Sequence, residues 1–157
     1  MTSLEFILEL FKVSADQLNV EYVKETPTRL QQWATKHKPP FVSLIDLSES
    51  GSVNNTQGNL ITYDVAFVFV ANLNKDPSTE QKIQSEIEAD KLAKQFLWFV
   101  KRNIDTTVNS FTMSEFFRDK SYLGLGKGLS INLTVPDKDT YCDIYCNEST
   151  KDIDCKT

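Results

Sequence analysis

The 157-residue chain has a single histidine, and its three cysteines all fall within the last sixteen positions. It has only five glycines and five prolines, and its longest unbroken apolar run is Val65 to Ala71. A membrane helix needs about twenty such residues, so no spanning helix is expected. Met1 to Glu9 contains Glu5 and Glu9 and no Lys or Arg, which is not the pattern of a secretory leader. Without one, disulfides are not the default expectation. Cations are scarce where strands are expected: no Lys or Arg occurs between Phe41 and Asn74. The net charge is −5 and the pI about 4.9. This excludes broad, charge-driven binding to the outside of nucleic acid.

What is present suffices for a core. Hydrophobic residues make up 40% and charged residues 25%, with ten Phe, five Tyr and two Trp, which is ordinary for a globular protein. Leu4, Ile7, Leu8 and Phe11 share one face of an amphipathic helix that Ser3 could cap. A second short helix is expected from Thr26, with Pro27 at its first position, stopped by Pro39 and Pro40. Phe41 to Leu47 reads as a strand, and the polar stretch Ser48 to Asn59 as a projecting loop. Leu60 to Leu73 alternates strictly through Ile61, Tyr63, Val65, Phe67, Phe69, Ala71 and Leu73. Its other face starts polar and turns apolar at Ala66, Val68 and Val70. Such a strand is long for a small domain, so it is expected to bend or to project.

Pro77 and Ser78 open the main helix, expected to run to about Asn103. Ile83, Ile87, Ala93, Leu97, Val100 and Ile104 form one stripe, and Leu92, Phe96 and Phe99 a second. A helix apolar on two sides is expected to be covered on two sides. Strands follow over Thr107–Phe117 and over Leu129 to Val135, the latter ended by Pro136. No internal repeat is visible. The expected fold is α+β: a four-stranded, mostly antiparallel sheet covered by one long helix, with N-terminal helices beside it. Residues 1–136 would form a single domain, and 137–157 a polar, cysteine-bearing tail.

Motifs that carry chemistry are few. His37 lies between Lys36 and Lys38 and reads as a solvated helix end, with nothing to support a Ser-His-Asp arrangement. Ser121 to Ser130 is glycine-rich, but Gly128 follows Lys127 where a phosphate loop needs Ser or Thr, and a strand follows where it needs a helix. It reads as a flexible hairpin connection. Cys142, Cys146 and Cys155 are open to three readings: incidental reduced thiols, a disulfide or a metal site, the last lacking a fourth soft ligand nearby. Three Asn-x-Ser/Thr triplets, at Asn54, Asn132 and Asn147, are read as chance matches. Asp90 falls by helical angle inside the stripe of Ile83, Ile87 and Leu97, and is expected where the helix has not yet reached the core. No catalytic, cofactor-binding or metal residue is expected, and no cofactor.

Taken in order, Pro40-Phe41-Val42-Ser43-Leu44, the polar stretch, the strand Tyr63 to Leu73, Asp76-Pro77-Ser78-Thr79-Glu80, the helix ending Phe96-Leu97-Trp98-Phe99-Val100, then Phe116-Phe117-Arg118-Asp119 and the glycines before Leu129 to Val135-Pro136 resemble small neck and tail-completion proteins of tailed bacteriophages, especially those with Bacteroidetes-like hosts. The helix–strand–strand–helix–strand–strand order is similar to the tail terminator fold. The resemblance covers roughly residues 1–136 and rests on order and texture. It implies a non-catalytic structural subunit of the virion, assembled in the host cytoplasm. Copies would form a six- or twelve-fold ring at the neck or head–tail junction, touching the portal, a neighbouring ring or the tail tube. DNA would pass through the channel without specific binding. In that setting Leu92, Phe96, Phe99, Val68 and Val70 are expected at subunit interfaces, and Asp46 and Glu49 facing the channel. The competing expectation is a small phage-encoded binding or regulatory module that acts on a host protein.

Overall fold

The computed structural model describes residues 2–24, 37–55, 58–117 and 124–137. The helix expected from Thr26 and the cysteine tail fall almost wholly outside these residues. Helix α1 spans Ser3–Gln17 and starts with a capping box. The Thr2 hydroxyl accepts from the Glu5 amide (3.1 Å), and the Glu5 carboxylate accepts from the Thr2 amide (2.7 Å). Both satisfy amides that a helix start leaves open. The cap is thus Thr2 and not Ser3. Ser3 is buried, and its hydroxyl donates to the Pro136 carbonyl at 3.4 Å. The chain leaves α1 through Leu18 and then Asn19, whose positive φ of 55° is the left-handed turn that asparagine tolerates after a helix end.

Five strands follow: β1 (Glu21–Val23), β2 (Phe41–Asn55), β3 (Gly58–Asn72), β4 (Thr107–Phe117) and β5 (Gly124–Pro136). They form one sheet in the order β1-β2-β3-β5-β4. The expectation of four strands misses β1, which pairs parallel to the start of β2 over three residues. The remaining pairs are antiparallel. Helix α2 (Thr79–Arg102) joins β3 to β4 and has its own capping box, between Ser78 and Gln81.

The expected loop over Ser48 to Asn59 is instead a ladder. β2 continues to Asn55 and pairs with β3 as far as Asn55↔Gly58, with residues 56–57 outside the described part. Backbone hydrogen bonds do not need apolar side chains, so a ladder forms along a polar stretch of sequence all the same. Irregularities between Leu44 and Asp46 and between Glu49 and Gly51 break the alternation that sequence reading relies on. β3 does not project, because β5 flanks it from Leu60↔Pro136 to Asn72↔Gly124. It is the central strand. Gly124, Gly126 and Gly128 lie within β5 and not in a connection. At Gly128 a Cβ would meet the Ser114 hydroxyl at 2.8 Å, and the Gly128 amide donates to that same oxygen at 2.7 Å.

Both helices cover one face of the sheet. The odd-numbered residues of β3 from Ile61 to Phe69 share a core with Val42, Leu44, Leu129, Ile131, Leu133 and Val135 from its neighbours. At the centre Phe67 meets Phe11 of α1 and Phe96 of α2, each at 4.8 Å between ring centroids and edge-on, and Phe69 meets Phe96 at 5.3 Å. Such pairs contribute about 0.5–1.5 kcal/mol beyond the burial of their area.

The two stripes expected on α2 are one face. Ala89, Leu92, Ala93, Phe96, Leu97 and Val100 are all buried. At about 100° per residue they cover an arc of about 140°, wide enough to lie over a sheet and against α1. Ile83 and Ile87 lie outside that arc and are exposed, and Ile104 stands past the end of the helix, 97% exposed.

Phe96→Ala is expected to lower stability by about 3–5 kcal/mol in urea denaturation, since the void would open where three elements meet. Trp98→Ala, two residues on but pointing outward, is expected to change it by less than about 1 kcal/mol. Equal losses from the two would refute this division of the helix.

Candidate functional site

The outward flank of α2 and the adjoining side of β4 carry the least ordinary surface among the described residues. Ile83, Ile87 and Trp98 fall within about 60° of one another on the helix, centred opposite the buried arc. Phe111 and Phe116 come from β4, in register with Ile131 and Lys127 of β5 and so on the helix side of the sheet. All five are between 37 and 54% exposed. Three rings carry a cation: Lys101 Nζ lies 4.6 Å from the Phe111 centroid, Arg102 Cζ 4.5 Å from Trp98, and Lys127 Nζ 4.3 Å from Phe116. Trp98 also meets Phe99 edge-on at 5.0 Å. Between Lys91 and Asn103 the chain has four cations and no acid.

Asp90 organises the inner end of this flank. Its two carboxylate oxygens accept from Lys127 (2.8 Å) and from Lys94 one turn on (2.6 Å). These two hydrogen bonds hold its carboxyl below the usual range. The position expected to lie short of the core is in fact a bridge from helix to sheet. Lys127, only 11% exposed, is the reason an acid belongs there.

The opposite face of the sheet carries a small buried apolar cluster around Val23, Phe41 and Val70 at one end, and a polar ladder over β3, β5 and β4. Asn132 donates to Asp64 (2.6 Å), Asn109 donates to Asn132 (2.7 Å) and to Thr134 (2.8 Å), and Thr134 bonds Thr62 (3.0 Å). A shallow concavity of about 260 Å³ lies beside this ladder, lined in part by Asp46, Asp64, Ser110, Thr112 and Ser130. Its polar groups bond one another across strands, an arrangement that stiffens a sheet and has no free acid–base pair.

The residues proposed from sequence separate on this frame. Leu92 and Phe96 are taken up by the chain's own core, and Phe99 is half-buried beside Trp98. Val70 is buried with Val23 and Phe41 on the face away from the two helices, and Val68 packs against that cluster. Asp46 and Glu49 are both exposed. Asp46 is paired with Ala66 and Glu49 with Tyr63, so they lie on opposite faces of the sheet and one surface cannot carry both. Trp98, Phe111 and Phe116 escaped the sequence reading. For Trp98 the signal was its angle, opposite Phe96 and its neighbours. For the two β4 residues there was none, because that strand's register is irregular.

No protein-family model matches the chain. No curated protein matches it either.

A second feature lies at the other end of the sheet. His37 is not a solvated helix end: its side chain is 16% exposed, its ring packs 5.7 Å from that of Phe41, and Nδ1 lies 2.9 Å from Glu21 Oε1. A carboxylate accepts here, so Nδ1 donates to Glu21. Nε2 is buried with no hydrogen-bond partner, and so is the hydroxyl of Tyr22. Burial pushes the Tyr22 hydroxyl up to about 12. Both residues line a cavity of about 670 Å³ with Glu9, Lys12, Asp16 and Lys24 at its margin.

Asp90→Asn is expected to lower stability at neutral pH by about 1–3 kcal/mol, because Lys127 loses its carboxylate partner in a mostly buried setting. The folded Asp90 carboxyl sits below its unfolded value. Its contribution is therefore complete above the unfolded value and is lost as pH falls through the folded one. Urea titrations from neutral to acid pH should show a shallower acid loss in the variant.

Proposed function

We propose that this chain is a non-catalytic, ring-forming structural subunit of a tailed-phage virion, placed at the neck or head–tail junction. The observation that carries it is the α2–β4 flank: five large apolar side chains, about half-exposed, aligned along one side of the molecule. Isolated exposed apolar residues are common, but an aligned set with cations stacked on its rings is the surface of a protein that is covered in use. The element order supports the same reading. Apart from the short β1, it runs helix, strand, strand, helix, strand, strand, the order in which the sequence resembles the tail terminator fold. The titratable groups that the fold brings together are spent on structure, as in Asp90 with Lys94 and Lys127. The ring stands between portal and tail tube, and its wall leaves a channel for DNA.

A small binding or regulatory module is the second reading, favoured by the cavity with its two unpartnered polar atoms. Solution size distinguishes the two. Native mass spectrometry of the full chain should show cyclic oligomers, six- or twelve-membered, in equilibrium with the monomer. A ring of this acidic chain should also have no appreciable affinity for duplex DNA at physiological salt, because a conduit that gathers phosphates with cations resists sliding. Salt-sensitive, submicromolar duplex binding would overturn the conduit reading.

A further inference from the structure

A folded chain seldom leaves a buried polar atom without a partner, because such an atom has given up water and gained nothing in return. Among the described residues only two side-chain atoms are in this state, the Tyr22 hydroxyl and His37 Nε2. They come from different parts of the chain: Tyr22 lies in β1, and His37 precedes β2. Yet both residues line one cavity, of about 670 Å³, beside α1 and β1. That volume is within the range of about 300–1,000 Å³ usual for small-ligand sites. No residue of the concavity beside the polar ladder has such an atom.

The surroundings say what a ligand of this cavity must carry. His37 is held through Nδ1, which donates to Glu21 at 2.9 Å, and by its ring against Phe41. A neutral imidazole bonded in this way has a lone pair at Nε2 and nothing there to donate. Burial pushes the Tyr22 phenol up to about 12, so it keeps a hydrogen to give. The lining thus has one acceptor and one donor, with Val20 and Val23 as apolar wall. The rim consists of Glu9, Lys12 and Asp16 on one face of α1, with Glu21 and Lys24 in and just after β1. Three acids and two cations, all exposed to solvent, nearly cancel and are screened, so the rim does not select an ion.

We propose that this cavity binds a small uncharged molecule carrying an N–H and a C=O, as a carboxamide or the edge of a nucleobase presents them. The ligand N–H donates to His37 Nε2, and its C=O accepts from the Tyr22 hydroxyl. Two unpartnered atoms lower the stability of the free chain, and they make the site selective. A molecule that lacks either group leaves one of them unpaired. The proposal does not rest on the ring reading, and it applies to a ring subunit and to a monomer alike.

His37 is the only histidine, so a single imidazole in nitrogen–proton correlation spectra of the full chain reports on Nε2 directly. At mildly alkaline pH the free protein should show Nε2 unprotonated and without a hydrogen bond. Nicotinamide and uracil are titrated in separate arms, with benzoate and benzylamine as charged controls of similar size. At least one uncharged probe should move the Nε2 signal saturably toward its hydrogen-bonded position, and each control should bind at least about tenfold more weakly. Tyr22→Phe removes the hydroxyl alone. It should raise the melting temperature of the free chain, because an unpartnered buried group is gone, and weaken the probe by about five- to tenfold. A lower melting temperature, or loss of the fold, means that the hydroxyl has a partner within the folded chain and overturns the proposal. So does a free protein in which Nε2 is protonated or already hydrogen-bonded. Preference for benzoate or benzylamine overturns the ligand class, and binding of no probe overturns the site. Either failure leaves the ring reading standing, since that reading is judged by oligomeric state.

Discussion

Everything in this molecule hangs on Phe67. It is the middle of the central strand, and at its ring α1, α2 and the sheet meet, through Phe11 and Phe96. Polar contacts also join the helices to the sheet: Ser85 donates to the Asn72 carbonyl, Ser3 to that of Pro136, and Lys127 to Asp90 midway along α2. The two serine bonds set the ends of the helices. The aromatic contact sets their height above the sheet, and with it the direction in which the rest of each helix points.

Once Phe96 is fixed inward, 3.6 residues per turn leave no choice for Trp98, which must face out. Lys101 and Arg102 follow on the same side and reach Phe111 and Trp98. The surface that we assign to assembly is therefore the geometric complement of the core. A polar face on α2 would have served stability alone just as well. The capping aromatics and the stacked cations add little to the fold of the single chain, which is why their presence points outside it.

Strict alternation in Ile61 to Leu73, the presence of both helices and the Ser78 cap of α2 were legible in the sequence, whereas the cap of α1 was placed one residue late and the stripes of α2 were divided wrongly. The α+β class was legible too, because long apolar patterns dominate local choices. What was not legible has three physical causes. β1 is three residues long and has no pattern of its own, so it exists only by pairing with β2. The outer part of β2 is polar, and its ladder rests on backbone bonds that composition does not report. On α2 the pairing of Asp90 with Lys127 depends on a strand almost forty residues away, and no period within the helix reveals it. The same holds for His37 and Glu21, which a parallel pairing brings together from positions sixteen apart. Of the residues proposed from sequence for contact between copies, Leu92, Phe96 and Val70 are buried within the chain, since apolar character alone cannot distinguish a core from an interface.

The irregular registers of β2 and β4 have a consequence for how this chain behaves when crowded. Between its breaks β4 offers regular runs no longer than Ser110–Met113, and β2 beyond β1 offers only Asp46–Glu49 and Gly51–Asn55. A stacked fibril needs an unbroken template of about six or seven residues. Among the described residues neither border of the sheet provides one, so a strand arriving from another molecule finds no long template at either edge.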